Sequence, residues 1–223
     1  RQDQTRVSWD TNWNPDIDPQ HRRRNPNDVS GGGLITHLTM WAETDEGLVN
    51  LMKASTDANL EGRVMRYPRM DKEILAKYSK GIIASSGCPS GIIQTRLLLG
   101  QFDEALRAAG ELQDIFGRDN FYIEFMDHGL KIEKQVTDGL LDIAKKLNAP
   151  LLATNDSHYV RAEDAGSQDA MLCINSGSTL DEPGRFKFDG TGYYLKSAEE
   201  MRELFKDIPE ACDNTLEIAE RCN

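Results

Sequence analysis

Basic residues are scarce in this 223-residue chain: 26 Lys and Arg stand against 37 Asp and Glu, a net charge of −11. A stand-alone nucleic-acid binder needs a basic surface, so that class is disfavoured. Long apolar runs are missing as well. Mean hydropathy is −0.56, and no stretch approaches the roughly 18 apolar residues of a membrane span. No charged, apolar and small-residue signal segment opens the sequence. The four cysteines (Cys88, Cys173, Cys212 and Cys222) have no Cys-x-x-Cys spacing, which excludes a disulfide frame or zinc knuckle read from pattern alone. The expectation is a cytoplasmic protein with reduced thiols and no membrane partner.

Residues 1–36 form no core pattern. They hold five Arg, five Asp, Pro15, Pro19, Pro26, the run Arg22-Arg23-Arg24 and Gly31-Gly32-Gly33. So few apolar groups do not offset the entropy of ordering the segment, and a flexible polar loop is expected. The Arg triplet reads as a solvated charge run more readily than as a phosphate contact.

From residue 34 onward short apolar runs alternate with helical patterns. Strands are expected at 34–42, 81–85, 121–126 and 151–154. Helices are expected after Thr44 and Asp71, at 91–99, 102–116, 162–175 and 209–222, and after the capping box Ser197-Ala198-Glu199-Glu200. In the first of these, Leu48, Leu51, Met52 and Ser55 share one face. The clearest carries Ile132, Val136, Leu140, Ile143 and Leu147 at a period near 3.6 and stops at Asn148-Ala149-Pro150. Such alternation predicts parallel strands joined by helical crossovers, an open α/β sheet or part of a barrel, since a closed (β/α) barrel takes about eight strands.

Active sites of parallel α/β folds gather at the carboxyl ends of strands. Here those ends run into Cys88, into Asp127-His128, and into Asn155-Asp156-Ser157-His158. In extended backbone Asp156 and His158 point to the same side, and a carboxylate with an imidazole suits Zn, Mn or Fe(II). The same spacing also suits a turn cap beside a satisfied histidine. Cys88, ahead of Pro89 at an expected helix start, reads as a thiolate ligand or nucleophile, or as a small buried turn residue. His37, inside the first strand, reads first as a core histidine. His128 before Gly129 suits an anion contact or a plain turn. The remaining cysteines and Tyr193-Tyr194 read as packing residues.

The strings Thr36-His37-Leu38-Thr39, Gly87-Cys88-Pro89-Ser90-Gly91, Phe121-Tyr122-Ile123-Glu124 and Thr154-Asn155-Asp156-Ser157-His158-Tyr159 resemble one family. Phe186-Lys187-Phe188, Gly192-Tyr193-Tyr194-Leu195-Lys196 and Ile208-Pro209-Glu210-Ala211-Cys212-Asp213-Asn214-Thr215 do so too. The family is the polymerase-and-histidinol-phosphatase (PHP) domain at the N-terminus of the bacterial replicative DNA polymerase III alpha subunit. The resemblance implies an α/β fold, a distorted (β/α)7 barrel with metal ions at its rim. It makes His37, Cys88, Asp156 and His158 expected ligands of zinc or manganese, two or three ions in a complete domain, with Asp156 and His158 the catalytic pair. It also implies that residues 37–223 form the C-terminal part of such a domain, with 177–223 leading out towards a polymerase core. The family's opening His-x-His segment, an upstream Asp-His-Gly stretch and a further strand-end glutamate have no counterpart here, so the first barrel strands are expected to be missing.

What the resemblance implies for function is DNA replication, with the domain a metal-dependent 3′–5′ exonuclease. His128 would then touch the phosphate, while DNA is held by basic regions outside this acidic chain. The alternative is a non-catalytic, metal-stabilised scaffold binding the polymerase and a separate proofreading exonuclease subunit. A third reading is a free-standing phosphomonoesterase.

Overall fold

The computed structural model describes residues 36–63 and 68–222. The loop expected over 1–36 and the start of the first strand at 34–35 thus fall outside the described residues, Thr36 excepted. The fold is mixed α/β. Its four strands are β1 (Thr39–Ala42), β2 (Ile82–Ser85), β3 (Phe121–Phe125) and β4 (Leu151–Ala153), forming one sheet in that order. Eight helices are described: α1 (Asp45–Leu60), α2 (Lys72–Lys77), α3 (Ile92–Leu98), α4 (Phe102–Phe116), α5 (Lys131–Leu147), α6 (Ala165–Ser176), α7 (Ala198–Leu204) and α8 (Pro209–Arg221).

One expectation fails. β2, β3 and β4 run parallel, but β1 pairs antiparallel with β2, placing Thr39 opposite Ser85 and Ala42 opposite Ile82. Alternating sequence patterns carry no strand direction. Here the chain leaves β1 at the amino end of β2, where Glu43 N–H donates to Gly81 O at 2.9 Å.

Local chemistry sets the helix ends. The Thr44 hydroxyl accepts from Gly47 N–H at 3.1 Å, the Asp71 carboxylate from Ile74 N–H at 2.9 Å, and Ser197 and Glu200 cap each other's backbone. Asn148 takes a left-handed conformation (φ 49°) to end α5. Gly81 has φ +71°, and a Cβ at Gly47 would lie 1.7 Å from Gly81 O, so α1 docks backbone to backbone on the start of β2.

The two sheet faces divide by strand alternation. Ile82, Ala84, Phe121, Ile123 and Phe125 join α4 and the apolar stripe of α5 in the main core. Val136, Leu140 and Ile143 of that stripe are buried, each contributing about 1.5–3 kcal/mol. On the opposite face Ile83, Tyr122 and Leu152 pack against Ile218 of α8. Two residues further along each strand on that face stand the polar residues Ser85, Glu124 and Thr154, joined by hydrogen bonds from both hydroxyls to the Glu124 carboxylate. In α1 the expected stripe fails at three of its four positions. Only Leu51 packs against the core; Leu48, Met52 and Ser55 are exposed and Ala54 and Ala58 are buried, because close docking at Gly81 turns the small residues inward.

Candidate metal centre

β2 runs through Ser86 into a turn held by glycine. Gly87 has φ +79°, and a Cβ there would lie 3.1 Å from His37 O. That close approach lets the segment ahead of β1 lie across the turn, where His37 N–H donates to Ser90 O at 3.1 Å and His37 bridges to Gly91. The His37 Nδ1 stands 3.2 Å from Cys88 Sγ. His37 is therefore just ahead of β1, not inside it. Because β1 is antiparallel, its amino end meets the carboxyl end of β2.

Cys88 corrects a further expectation. Helix α3 begins at Ile92 with Gly91 as its N-cap, so Cys88 sits in the turn before it. Burial pushes its thiol up to about 11, and the Asp156 and Glu124 carboxylates act the same way against donation from Ser90. This environment favours the protonated thiol and so weighs against a free, helix-activated nucleophile.

β4 ends at Ala153, so Asp156 and His158 lie in irregular backbone beyond the strand. Their side chains still meet, Asp156 Oδ2 to His158 Nε2 at 3.3 Å, both partly exposed. Asn155 holds this loop: its Nδ2 donates to Tyr194 O at 2.6 Å and its Oδ1 accepts from Lys196 Nζ at 2.8 Å. His158 N–H donates to Tyr193 O at 2.8 Å, and its ring packs on Phe188 at 4.5 Å.

The four expected ligands thus form two pairs at one end of the sheet, His37 with Cys88 and Asp156 with His158. Among the described residues no group of three or more His, Cys, Asp or Glu closes into a ready metal cage. The donor chemistry nevertheless fits a divalent ion. Thiol, imidazole and carboxylate suit zinc and its neighbours, and two ligands on one tetrahedral zinc are separated by about 3.3–3.6 Å, given bonds of 2.0–2.3 Å. The Asp156–His158 separation of 3.3 Å falls at the short end of that spacing, whereas His37 and Cys88, at 3.2 Å, stand at hydrogen-bond distance and would spread by a few tenths of an ångström around an ion.

Sequence reasoning assigned no role to Glu124, whose side chain ties the two pairs together. It is 2% exposed and accepts from the Ser85 hydroxyl, from Gly87 N–H at 3.1 Å and from the Thr154 hydroxyl at 2.5 Å. All three donors are neutral. The signal available in the sequence was a glutamate in the middle of an otherwise apolar strand.

His128 stands apart from the two pairs. Its side chain is 2% exposed, with Nδ1 2.6 Å from Glu133 Oε1, while Glu133 Oε2 accepts His128 N–H at 2.7 Å and Leu130 N–H at 3.2 Å. The ring stacks on Tyr193 at 4.3 Å, and Tyr193 meets His158 edge-on at 5.8 Å. Tyr193, read from sequence as packing, is the wall between the two histidines. The His128 Nε2 is buried without a hydrogen-bond partner among the described residues. Of the other cysteines, Cys173 and Cys212 are buried in α6 and α8, and Cys222 is half-buried at the end of α8.

Comparison with known proteins agrees with this architecture. The family model described as "PHP domain" matches residues 10–128, more than half of the chain. The DNA polymerase III subunit alpha of Saccharopolyspora erythraea is 59% identical over 195 residues, covering 87% of this chain and 16% of that protein. The same subunit of Mycobacterium leprae is 51% identical over 222 residues, 99% of this chain and 18% of its own length. That of Borreliella burgdorferi is 41% identical over 192 residues, 86% and 17%. The chain thus spans about a sixth of the length of the curated relatives it matches. On the family match, with an α/β fold that gathers His37, Cys88, Asp156 and His158 at one sheet end, the chain belongs to the PHP domain family.

Proposed function

We propose that this chain is the metal-binding PHP portion of a DNA polymerase III alpha subunit and serves DNA replication by hydrolysing a phosphodiester at a 3′ end. The observation that carries the reading is the presence of two candidate ligand pairs, His37–Cys88 and Asp156–His158, at the same end of one sheet, in a chain 41–59% identical to three alpha subunits. The four-stranded sheet is then part of a distorted (β/α)7 barrel, with the row Ser85, Glu124 and Thr154 lying beneath its rim.

In this reading His37, Cys88, Asp156 and His158 hold zinc or manganese. A bound divalent ion supplies Lewis-acid polarisation of the phosphoryl group and a water of lowered pKa. The chain's own residues set the geometry. Glu124 fixes the backbone just before Cys88 and, through Thr154, the loop that carries Asp156. Asn155 and Lys196 hold that loop against the Tyr193–Tyr194 segment. Tyr193 and Phe188 exclude water from one side of His158. His128, its Nδ1 tied to Glu133, has only the buried Nε2 left for a phosphate oxygen. With a charge of −11, the chain depends on basic regions of a larger protein to hold DNA.

The test is Asp156→Asn in the full-length subunit that carries this sequence. Bound zinc or manganese is expected to fall and 3′-end degradation to be lost, with polymerisation retained; unchanged degradation refutes the exonuclease. The exposed Met171 and Ile174 on α6 favour a second reading, a metal-stabilised scaffold for other replicase subunits. Metal loss that lowers the melting temperature in a protein without nuclease activity would select it.

A further inference from the structure

A cavity of about 250 Å³ lies between the start of α6 and the segment 187–191, with Tyr159, Gln168, Leu172, Lys187 and Phe188 on its walls. Phe188 is a shared wall: the ring that lines the cavity is also the ring packed at 4.5 Å on His158. The space therefore lies one aromatic ring away from the Asp156–His158 pair.

Its lining is mixed in a useful way. Phe188, Tyr159 and Leu172 offer flat apolar surface, Gln168 offers both a donor and an acceptor, and Lys187 stands at the mouth as an exposed cation. Asp169 also lines the cavity, but Arg185 grips both its oxygens at 2.6 Å, so its charge is already met. The volume falls just below the roughly 300–1,000 Å³ of pockets for drug-sized ligands, which suits one small unit and excludes a duplex. Aromatic walls with a nearby cation are the combination that holds a single nucleotide of an unpaired strand, the base on the ring and the phosphate towards the ammonium.

We propose that this cavity binds one nucleotide of a single DNA strand, with its base against Phe188 and its phosphate towards Lys187. The choice of a nucleotide as occupant rests on the phosphodiesterase reading above; the site itself rests on the cavity.

The test titrates the chain with deoxyadenosine 5′-monophosphate while the backbone amide resonances of Gly166, Gly190 and Thr191, all on the cavity wall, are followed. Saturable shifts are expected there. Lys187→Glu should raise Kd about tenfold, whereas the same charge change at Lys131, exposed on α5, should leave it unmoved. No shifts at those amides, equal weakening by Lys131→Glu, or identical shifts with inorganic phosphate alone would overturn the proposal. Nucleotide binding here in a subunit whose end-degradation ignores Asp156→Asn would keep this site and remove the nuclease reading. Asp156-dependent degradation with no nucleotide shifts would do the reverse.

Discussion

Glu124 concentrates more of the site's geometry than any expected ligand. A carboxylate that is 2% exposed with three neutral donors costs much to bury and more to remove, since truncation leaves hydroxyls and an amide unpaired in a dry interior. Glu124→Ala is expected to destabilise the fold by roughly 3 kcal/mol, read as a lower denaturation midpoint at constant slope. Glu124→Gln keeps acceptor capacity and should lose clearly less; equal losses would mean that packing alone accounts for this residue. The contrast with Asp156 is instructive. Asp156 was legible because a Asp-x-His spacing is a recognisable ligand pattern, whereas Glu124 becomes meaningful only when Ser85 and Thr154 arrive beside it from strands distant in sequence.

Among the elements, α5 and α1 differ in how well their patterns predict packing. In α5 the period near 3.6 and the buried stripe coincide, because large side chains drive the docking. In α1 the helix approaches Gly81 so closely that backbone contact, not the largest apolar side chains, decides its orientation, and Leu48 and Met52 are left outside. Gly47→Ala would place a methyl 1.7 Å from a backbone oxygen. Backbone has no rotamer to yield, so a loss of about 2 kcal/mol or more is expected in chemical unfolding. A neutral outcome would show that α1 shifts freely on the sheet. The short strand β1 is the other element of consequence, since its reversal puts His37 beside Cys88.

For the whole molecule the charge of −11 matters more than any single contact. Phosphate contacts depend on Lys and Arg releasing counterions, and an acidic surface repels a duplex beyond the reach of one cavity lysine. The chain alone is expected to form no complex with duplex DNA at physiological salt in an electrophoretic shift assay. Retention that weakens steeply with salt would instead reveal a basic face hidden in the average. Among the described residues no helix is long and apolar enough to cross a membrane.

Sequence alone determined the order and approximate bounds of the strands and helices, the capping residues and the residue types able to ligate a metal, because propensity, periodicity and capping act over a few neighbours. Tertiary structure decided the rest: the antiparallel β1, the separation of the four expected ligands into two pairs, the buried Glu124 between them, and the Tyr193 ring that contacts both His128 and His158. Each of these depends on contacts between residues tens of positions apart, and strand direction and register, which set such contacts, leave no mark in a local pattern.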